Sequence, residues 1–377
     1  GPSSITNSRA VIKADNPWRP SASDKESSLY IAWLANNDLT YEKKHELNFG
    51  IDAGFLNNRI NFTFDIYTRR NYDLIGATNT MGIGGESTKY GNVAKMKSNG
   101  VELSLNTVNI KTKDFTWTTD FIYSHMHNEV TELNTYNRLY DYISGYGFTM
   151  PGYPQRSLFS IPFAGLNNEG LPTFYDPDGN ITVTGIDMQE YDPERLKFLK
   201  YEGPADPTDV GSLGNIFRYK NLTLNLFITY SFGNVVRLDP VFSSEYSDLS
   251  ATPKEFNNRW IKPGDEKFTN IPVIASRQQL NNLAYLSRAY QSYNYSTARV
   301  AKGDFIRMKE ISLAYEFPKT LTQPLHLSNL SLKLQATNLF LLYADKKLNG
   351  QDPEFFNAGG VATPMPKQFT LTLKFGI

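Results

Sequence analysis

Apolar and polar residues alternate one by one through much of this chain, and no other feature limits its fold so strongly. In the segment 45–55, apolar residues such as Leu47 and Phe49 are separated by single polar or glycine residues. Successive side chains of a strand point to opposite faces, so this period of two predicts a strand between two unlike environments. Asn57-Asn58 then predicts a tight turn, because Asn tolerates the positive φ of hairpin turns. The segment 60–67 repeats the alternation and completes a hairpin.

The same pattern recurs to the end of the chain. We predict nine strands, near residues 45–55, 60–67, 101–106, 115–123, 213–219, 222–230, 311–317, 330–337 and 369–377. Their connections are alternately short, near 57–58, 111–114, 219–221 and 318–328, and long, near 76–96, 127–208, 233–297 and 343–366. Long structureless connections are unusual in a compact domain, whereas an outer-membrane barrel has short turns at one end and long loops at the other. The pattern therefore favours an all-β, antiparallel transmembrane β-barrel with long extracellular loops over a soluble β-sandwich.

Composition removes several other classes. Lys plus Arg and Asp plus Glu number 38 each, so the basic excess of a nucleic-acid-binding protein is missing, and we expect no nucleic-acid partner. No cysteine is present, which excludes disulfides, thiolate nucleophiles and cysteine-ligated metals. No stretch approaches the roughly 18 consecutive apolar residues of a spanning helix, and the mean hydropathy is −0.42. These values exclude a helical membrane protein and leave the barrel open.

Aromatic residues make up 14% of the chain, and many fall near predicted strand ends. A barrel needs such residues at both membrane interfaces. At the short-turn end they are Phe55, Phe115, Trp117, Phe317 and Phe375, and near the long loops they are Tyr123, Tyr230 and Phe232. Their positions predict the two aromatic girdles of a membrane barrel.

Several motifs, in order and over nearly the whole chain, resemble the C-terminal half of the SusC/RagA-type TonB-dependent transporters of Bacteroidetes. They lie at 39–51, 58–60, 72–75, 98–102, 259–265, 271–272, 303–318, 336–340, 350–354 and 366–370. The resemblance implies a protein of the outer membrane that imports a bulky nutrient, an oligosaccharide or a peptide. It also implies a SusD-like surface lipoprotein that caps the barrel, a plug that engages TonB, outer-membrane lipid around the wall, and no cofactor.

The family has an N-terminal plug domain and earlier barrel strands, and neither has a counterpart in this sequence. Nine strands would leave two open edges in lipid, where unpaired backbone groups are costly. We therefore expect residues 1–377 to form the C-terminal part of a larger barrel of about 22 strands. The remaining N-terminal part of the same transporter would supply the plug and the other strands. The start at Gly1-Pro2-Ser3-Ser4 carries no export signal, which fits a mid-chain beginning.

Two alternatives come from other functional classes: a passive porin without a plug, and a soluble all-β binding module. An enzyme is not predicted, because the four histidines sit beside no distinctive serine motif.

Two groups of residues resemble metal sites. His125 and His127 are two apart on a predicted strand and share a face, but no third ligand is evident, so a polar rim pair is the alternative. Asp176, Asp178 and Asn180 resemble the start of a calcium loop, but Gly179 comes too early for an EF-hand. A plain turn is the favoured interpretation of that segment.

Aromatic and basic residues of the loops are the candidate substrate contacts. They are Trp260, Arg259, Tyr285, Tyr290, Tyr293 and Tyr295, with Trp18 and Trp33 in the N-terminal segment. Such side chains stack on sugar rings or pack on a peptide or lipoprotein, and packing of loop against loop is the alternative. On the polar strand faces, charged side chains are predicted to line a permeation path or to contact a plug. These are Glu46, Asp52, Asp65, Arg69, Glu102 and Asp120.

Overall fold

The computed structural model describes residues 10–15, 28–33, 35–37, 39–79, 88–135, 137–145, 147–241, 254–356 and 366–377. The strands, in chain order, are β1 (Val11–Asp15), β2 (Ser28–Trp33), β3 (Lys43–Phe55), β4 (Ile60–Asn79), β5 (Thr88–Lys111), β6 (Phe115–Leu133), β7 (Ser157–Ser160), β8 (Phe163–Leu166), β9 (Pro172–Tyr175), β10 (Ile181–Thr182), β11 (Lys200–Pro204), β12 (Asp209–Tyr219), β13 (Leu222–Phe232), β14 (Val235–Arg237), β15 (Val300–Lys302), β16 (Phe305–Glu316), β17 (Asn329–Ala344) and β18 (Gln368–Gly376).

The helices are short. The α-helices are α1 (Leu139–Ile143), α2 (Pro193–Leu196), α3 (Arg277–Asn282), α4 (Leu286–Asn294) and α5 (Lys319–Thr322). The 3₁₀ helices are η1 (Lys254–Asn258), η2 (Asp265–Lys267), η3 (Thr297–Arg299), η4 (Gln323–Leu325), η5 (Lys346–Leu348) and η6 (Pro353–Phe355). Among the described residues, none of these helices has the length and apolar character needed to cross a membrane.

Nine strands form one antiparallel sheet in the order β18-β17-β16-β13-β12-β6-β5-β4-β3. They are the nine predicted strands, and their order in the sheet is their order along the chain. Each inner strand of this sheet therefore pairs with the one before it and the one after it, and connections alternate between the two ends of the sheet. All the long connections lie at one end, as the alternation of loop lengths predicted.

The β3–β4 hairpin shows how local sequence sets this register. Thirteen pairs run from Lys43↔Tyr72 to Phe55↔Ile60, and they keep the apolar set of both strands on one face. The turn places Leu56, Asn57 and Asn58 at φ of 54°, 56° and 61°. Because Asn adopts positive φ more readily than most residues, the Asn pair closes this tight turn.

The expectation of structureless long loops is wrong. The connection predicted at 76–96 is largely strand, because β4 continues to Asn79 and β5 begins at Thr88. The connections between β6 and β12 and between β13 and β16 contain the small strands β7–β11, β14 and β15 together with α1–α4. We call the described residues of this part, within 134–208, 233–241, 254–304 and 345–356, the loop layer.

The loop layer has its own apolar core, which is why it is ordered. Fifteen buried residues form the main cluster, and three of them, Ile143, Ile161 and Phe174, have no exposed surface. Burial of this size supplies the free energy that ordering long connections requires. The members are Leu139, Ile143, Ile161, Leu171, Phe174, Ile186, Met188, Leu196, Val241, Phe256, Ile271, Leu286, Ala289, Tyr290 and Tyr293.

Candidate functional site

One face of the large sheet carries the polar side chains of the alternation. Cross-strand pairing sets Glu46 beside Arg69, and Asp65 beside Glu102, so the predicted charged residues share this polar face. Arg69 Nε lies 3.0 Å from Glu46 Oε2. The hydroxyl of Thr63 donates to Asp52 Oδ1 at 2.6 Å, and the amide of Asn106 donates to the carboxylate of Asp120. The face is thus a hydrogen-bonded polar surface, suited to contact with water or a polar solute.

Tyr67 covers part of this polar face, and its side chain explains why residue 100 is a glycine. The residue lies opposite Gly100 in the β4–β5 pairing and is 5% exposed. A Cβ at Gly100 would come within 2.4 Å of the Tyr67 hydroxyl oxygen, so this close approach requires glycine. The guanidinium carbon of Arg69 lies 3.9 Å from the centre of the Tyr67 ring, which orients both side chains.

The opposite face of the sheet is apolar and uncovered. On β17 and β18, Leu334, Leu371 and Phe375 are each more than half exposed, although the two strands are paired with each other in the sheet. A soluble protein rarely leaves such a contiguous apolar surface in water. Aromatic pairs lie at both ends, with Trp117 and Phe217 at 5.6 Å between ring centroids and Tyr230 and Phe232 at 5.7 Å. These observations fit a membrane-facing wall with its two girdles.

A buried ion pair joins the sheet to the loop layer. Arg307 of β16 and Asp352, which precedes η6, are almost fully buried, and their side chains are hydrogen-bonded. Glu354 Oε2 lies 3.2 Å from the same guanidinium nitrogen, and Asp352 Oδ1 also accepts from the backbone N–H of Glu354 at 3.1 Å. Burying a charge is costly unless it is paired, so the three side chains hold this contact together.

Two further arginines hold contacts within the loop layer, Arg299 buried and Arg237 half-buried. Arg299 is 2% exposed and binds Glu255 at 2.6 Å and the carbonyl of Asp239 at 2.6 Å. Arg237 donates to the carbonyl oxygen of Phe159 at 2.5 Å, which ties β14 to β7. Burial lowers the pKa of Arg237 to about 10, so the side chain is still charged at neutral pH.

The loop layer borders an open cavity of about 600 Å³. This volume lies within the range of small-ligand pockets. The walls come from the segment around η1 and η2, from η3 and from η5, and they include Arg259 and Tyr293 of the predicted substrate contacts. We call this space the loop cavity.

Three of the predicted substrate contacts are core residues. Trp260 is 8% exposed, and its indole N–H donates to Glu266 Oε2 at 3.0 Å, which lowers the pKa of that carboxyl. A Cβ at Gly170, where φ is 74°, would come within 2.4 Å of the Trp260 ring. Tyr290 donates to the carbonyl oxygen of Val273 at 2.9 Å and is buried. Tyr293 has 1% exposure, and burial raises its pKa to about 12. For these three residues, the packing alternative accounts for their surroundings.

The other three predicted contacts lie nearer the surface. Arg259 borders the loop cavity, with its guanidinium 5.1 Å from the centre of the Phe256 ring. Tyr285 is exposed and stacks with Arg288 at 4.3 Å. Tyr295 is half-buried against Tyr140, and burial raises its pKa to about 12. The structure therefore does not gather the six side chains at one place, and their role in substrate binding stays a prediction. Trp18 lies outside the described residues.

Asp176, Asp178 and Asn180 form the turn between β9 and β10. The Asp176 carboxylate accepts the backbone N–H groups of Asp178 at 2.9 Å and Asn180 at 2.8 Å. Asp178 pairs with Arg195 at 3.5 Å. The plain-turn interpretation thus accounts for the segment. Within the ranges that the structure describes, no cluster of three or more histidine or acidic side chains is arranged to hold a metal ion.

His125 and His127 lie on β6, as predicted. The Nδ1 atom of His125 is 2.9 Å from Asp209 Oδ1, an oxygen that also accepts from the Tyr123 hydroxyl at 2.6 Å. His127 lies further along the strand, opposite Asn99. The arrangement is that of the alternative, a polar pair near the end of the strand next to the loop layer.

Sequence reasoning missed the pair Arg307–Asp352. Both residues belong to motifs that carry the family resemblance, at 303–318 and 350–354, but they stand 45 positions apart. A charged residue in each motif was the available signal. Nothing in the alternation of either segment indicates that the two motifs touch.

The chain matches no protein-family model. It is 28% identical over 355 residues to the TonB-dependent receptor SusC of Bacteroides thetaiotaomicron, which covers 90% of this chain and 32% of that protein. It is 26% identical over 373 residues to the TonB-dependent receptor P39 of Formosa agariphila, with 88% of this chain and 34% of that protein covered. The chain thus spans about a third of the length of these curated relatives.

Among solved structures, the chain resembles the RagAB peptide transporter with a TM-score of 0.72 and 24% identity. The match covers 98% of this chain and 38% of that one. The RagAB peptide importer in its open-open state gives a TM-score of 0.73 at the same identity. These likenesses confirm the predicted antiparallel barrel fold, and the curated relatives confirm the outer-membrane location. Over most of its length the chain is therefore similar to proteins named TonB-dependent receptors, SusC among them, as its motifs predicted.

Proposed function

We propose that this chain forms the C-terminal barrel wall and the outer loop layer of a TonB-dependent importer of a bulky nutrient, an oligosaccharide or a peptide. The observation that carries the proposal is the two-faced sheet, apolar and uncovered on one side and polar on the other, with an ordered loop layer at one end. A wall of that kind separates lipid from a polar passage. Relatives named as TonB-dependent receptors and as a peptide transporter support it.

The proposal includes parts beyond residues 1–377. Within the described ranges, the outermost strands β3 and β18 each pair with a single neighbour in the large sheet. Unpaired strand edges are costly in lipid, so further strands of the same transporter would complete the wall. A plug in that remaining part would engage TonB, and a SusD-like lipoprotein would cover the loop layer. We infer a transport role and no catalytic one.

Uptake by the full-length transporter tests this proposal. In cells that depend on it for growth on a nutrient, dissipating the proton gradient or deleting TonB is expected to abolish uptake of that nutrient. A porin would continue to admit the nutrient under both treatments, which would overturn energy coupling. A protein extracted without detergent would overturn the membrane assignment. Gentle detergent extraction followed by identification of co-purifying proteins tests for the lipoprotein. Repeated recovery of the transporter alone would contradict a lipoprotein that covers the loop layer.

A further inference from the structure

The loop cavity has an excess of basic side chains over acidic ones. Its lining contains Arg259, Arg299 and Lys347 against Glu255 and Asp265. Both acidic groups are already engaged by the protein. Glu255 pairs with Arg299, and Asp265 Oδ2 accepts the backbone N–H groups of residue 261 at 3.1 Å and residue 262 at 3.0 Å. Glu255 neutralises Arg299 and Asp265 offsets one further charge, so Arg259 and Lys347 leave the cavity lining with a net excess of one positive charge.

The two remaining cations are accessible. Arg259 is half-buried and donates from Nη1 to the carbonyl of Phe256 at 3.3 Å, and within the described residues it forms no ion pair. Lys347 is exposed and donates from Nζ to the carbonyl of Val300 at 3.2 Å. A guanidinium presents several donors in a fixed fork that matches a carboxylate. The wall is therefore suited to an anionic group.

Neutral polar side chains and the exposed ring of Phe268 also line the cavity. Asn258, Asn270 and Asn349 are exposed, and in the described part of the chain their side-chain amides have no hydrogen-bond partner. An amide both donates and accepts, as a sugar hydroxyl does. Phe268 is 89% exposed, which leaves its ring open for stacking on the apolar face of a sugar.

We propose that the loop cavity binds a carboxylate-bearing oligosaccharide, with Arg259 and Lys347 holding the carboxylate and the three asparagines holding hydroxyl groups. This rests on the proposed function, since it names the class of nutrient that the importer selects. A peptide is the less suitable occupant, because none of the described residues that line the cavity belongs to a β-strand whose edge a peptide could extend. Phe268 supplies the stacking surface.

The test uses the full-length transporter in detergent and short oligogalacturonates as the probe, with their methyl esters as the neutral counterpart. Titration calorimetry is expected to show tighter binding of the acid than of the ester, weakening as salt is added. Arg259→Gln and Lys347→Gln are each expected to weaken acid binding about tenfold, which corresponds to about 1.4 kcal/mol. Binding of the ester should change little.

Arg288→Gln is the matched control, because Arg288 also lies over an aromatic ring in the loop layer but does not line the loop cavity. It should leave binding unchanged. Equal affinity for acid and ester, or unchanged acid binding in both cavity variants, would overturn the proposal. If an acidic peptide bound more strongly, with the same dependence on Arg259, the ligand would be a peptide and the assignment of an oligosaccharide would be wrong.

Failure of the site and failure of the importer give different results. Energy-dependent uptake of another nutrient, unaffected by Arg259→Gln, would preserve the importer and remove this site. Acid binding lost in Arg259→Gln, combined with uptake that needs neither TonB nor the proton gradient, would preserve the site and remove the energised mechanism. Unchanged circular dichroism of the variants confirms that the loop layer remains folded.

Discussion

The large sheet and the loop layer distribute their side chains in opposite ways. On the sheet, apolar residues such as Leu334 and Phe369 are exposed, while polar residues share the other face. In the loop layer, apolar residues such as Phe174 and Leu286 are buried around a core. The difference reflects the surroundings: lipid solvates an apolar face, whereas a layer in water orders itself only by burying one.

Buried arginines are found in both regions. Arg307 on the sheet and Arg299 in the loop layer are both almost fully buried, and each is paired with at least one carboxylate. They lie where the two regions meet or where loop packs on loop. The loop layer is thus held by specific charged contacts in addition to its core, and each region can be perturbed separately.

The largest effect is expected from Arg307→Ala. The variant leaves Asp352 buried without its partner, and breaking a buried pair in this way costs about 3–5 kcal/mol. Limited proteolysis of the full-length protein in detergent should show early cleavage in the segment 345–356. Arg307→Met combined with Asp352→Leu removes both charges, so this double variant should lose much less stability and resist proteolysis longer than Arg307→Ala. Equal losses in the single and double variants would contradict the role of the pair.

Leu334→Arg tests the membrane-facing side. Leu334 lies on the apolar face between Leu313 and Leu371, and a cation near the middle of a lipid-facing strand costs about 2–4 kcal/mol. The amount of folded protein in the outer-membrane fraction, measured by its heat-dependent gel mobility, should fall. The neighbouring change Gln335→Arg places the same charge on the polar face and should be tolerated. Equal tolerance of both would remove the distinction between the faces.

Alkaline pH should weaken the loop layer before the sheet. Burial raises the pKa of Tyr293 and Tyr295 to about 12, so the neutral form is favoured in the folded state. The two neutral tyrosines contribute fully to the stability of the loop layer below the ordinary tyrosine pKa of about 10. This contribution to the free energy of unfolding is lost as pH rises through about 12. The lowered pKa of Arg237 has the opposite effect on stability, which it raises as pH rises over this window. The two tyrosines together have the larger effect, so a net loss of stability is expected.

Hydrogen exchange in the loop layer, followed from about pH 9 upward, measures this loss. Tyr293→Phe removes one of the ionising groups and should flatten the dependence. An unchanged slope in that variant would show that Tyr293 does not ionise in this range.

The smallest effect is expected at the β9–β10 turn. Asp176→Ala removes two accepted hydrogen bonds and should cost about 0.5–1.5 kcal/mol, seen as faster local exchange. Asp178→Ala removes only an exposed pair with Arg195 and should have little effect. Added calcium should leave both variants and the parent unchanged. Protection by calcium that depends on Asp176 would restore the calcium-loop interpretation.

Local sequence alone determined the nine strands, their faces and the alternation of short and long connections. The period of two and the Asn57-Asn58 turn act over a few residues, so they can be read without knowing what lies nearby in space. The polar set that includes Glu46, Arg69 and Asp65 falls on one face for the same reason.

Only the tertiary structure decided which loop residues are buried and which remain accessible. Trp260 packs against Gly170 and Arg307 pairs with Asp352, and both contacts join segments far apart in the chain. The aromatic loop residues have no periodicity that would separate a core tyrosine such as Tyr293 from an exposed one such as Tyr285. Burial there depends on how distant segments pack together, and this is why composition predicted the residue types of the loop layer but not their roles.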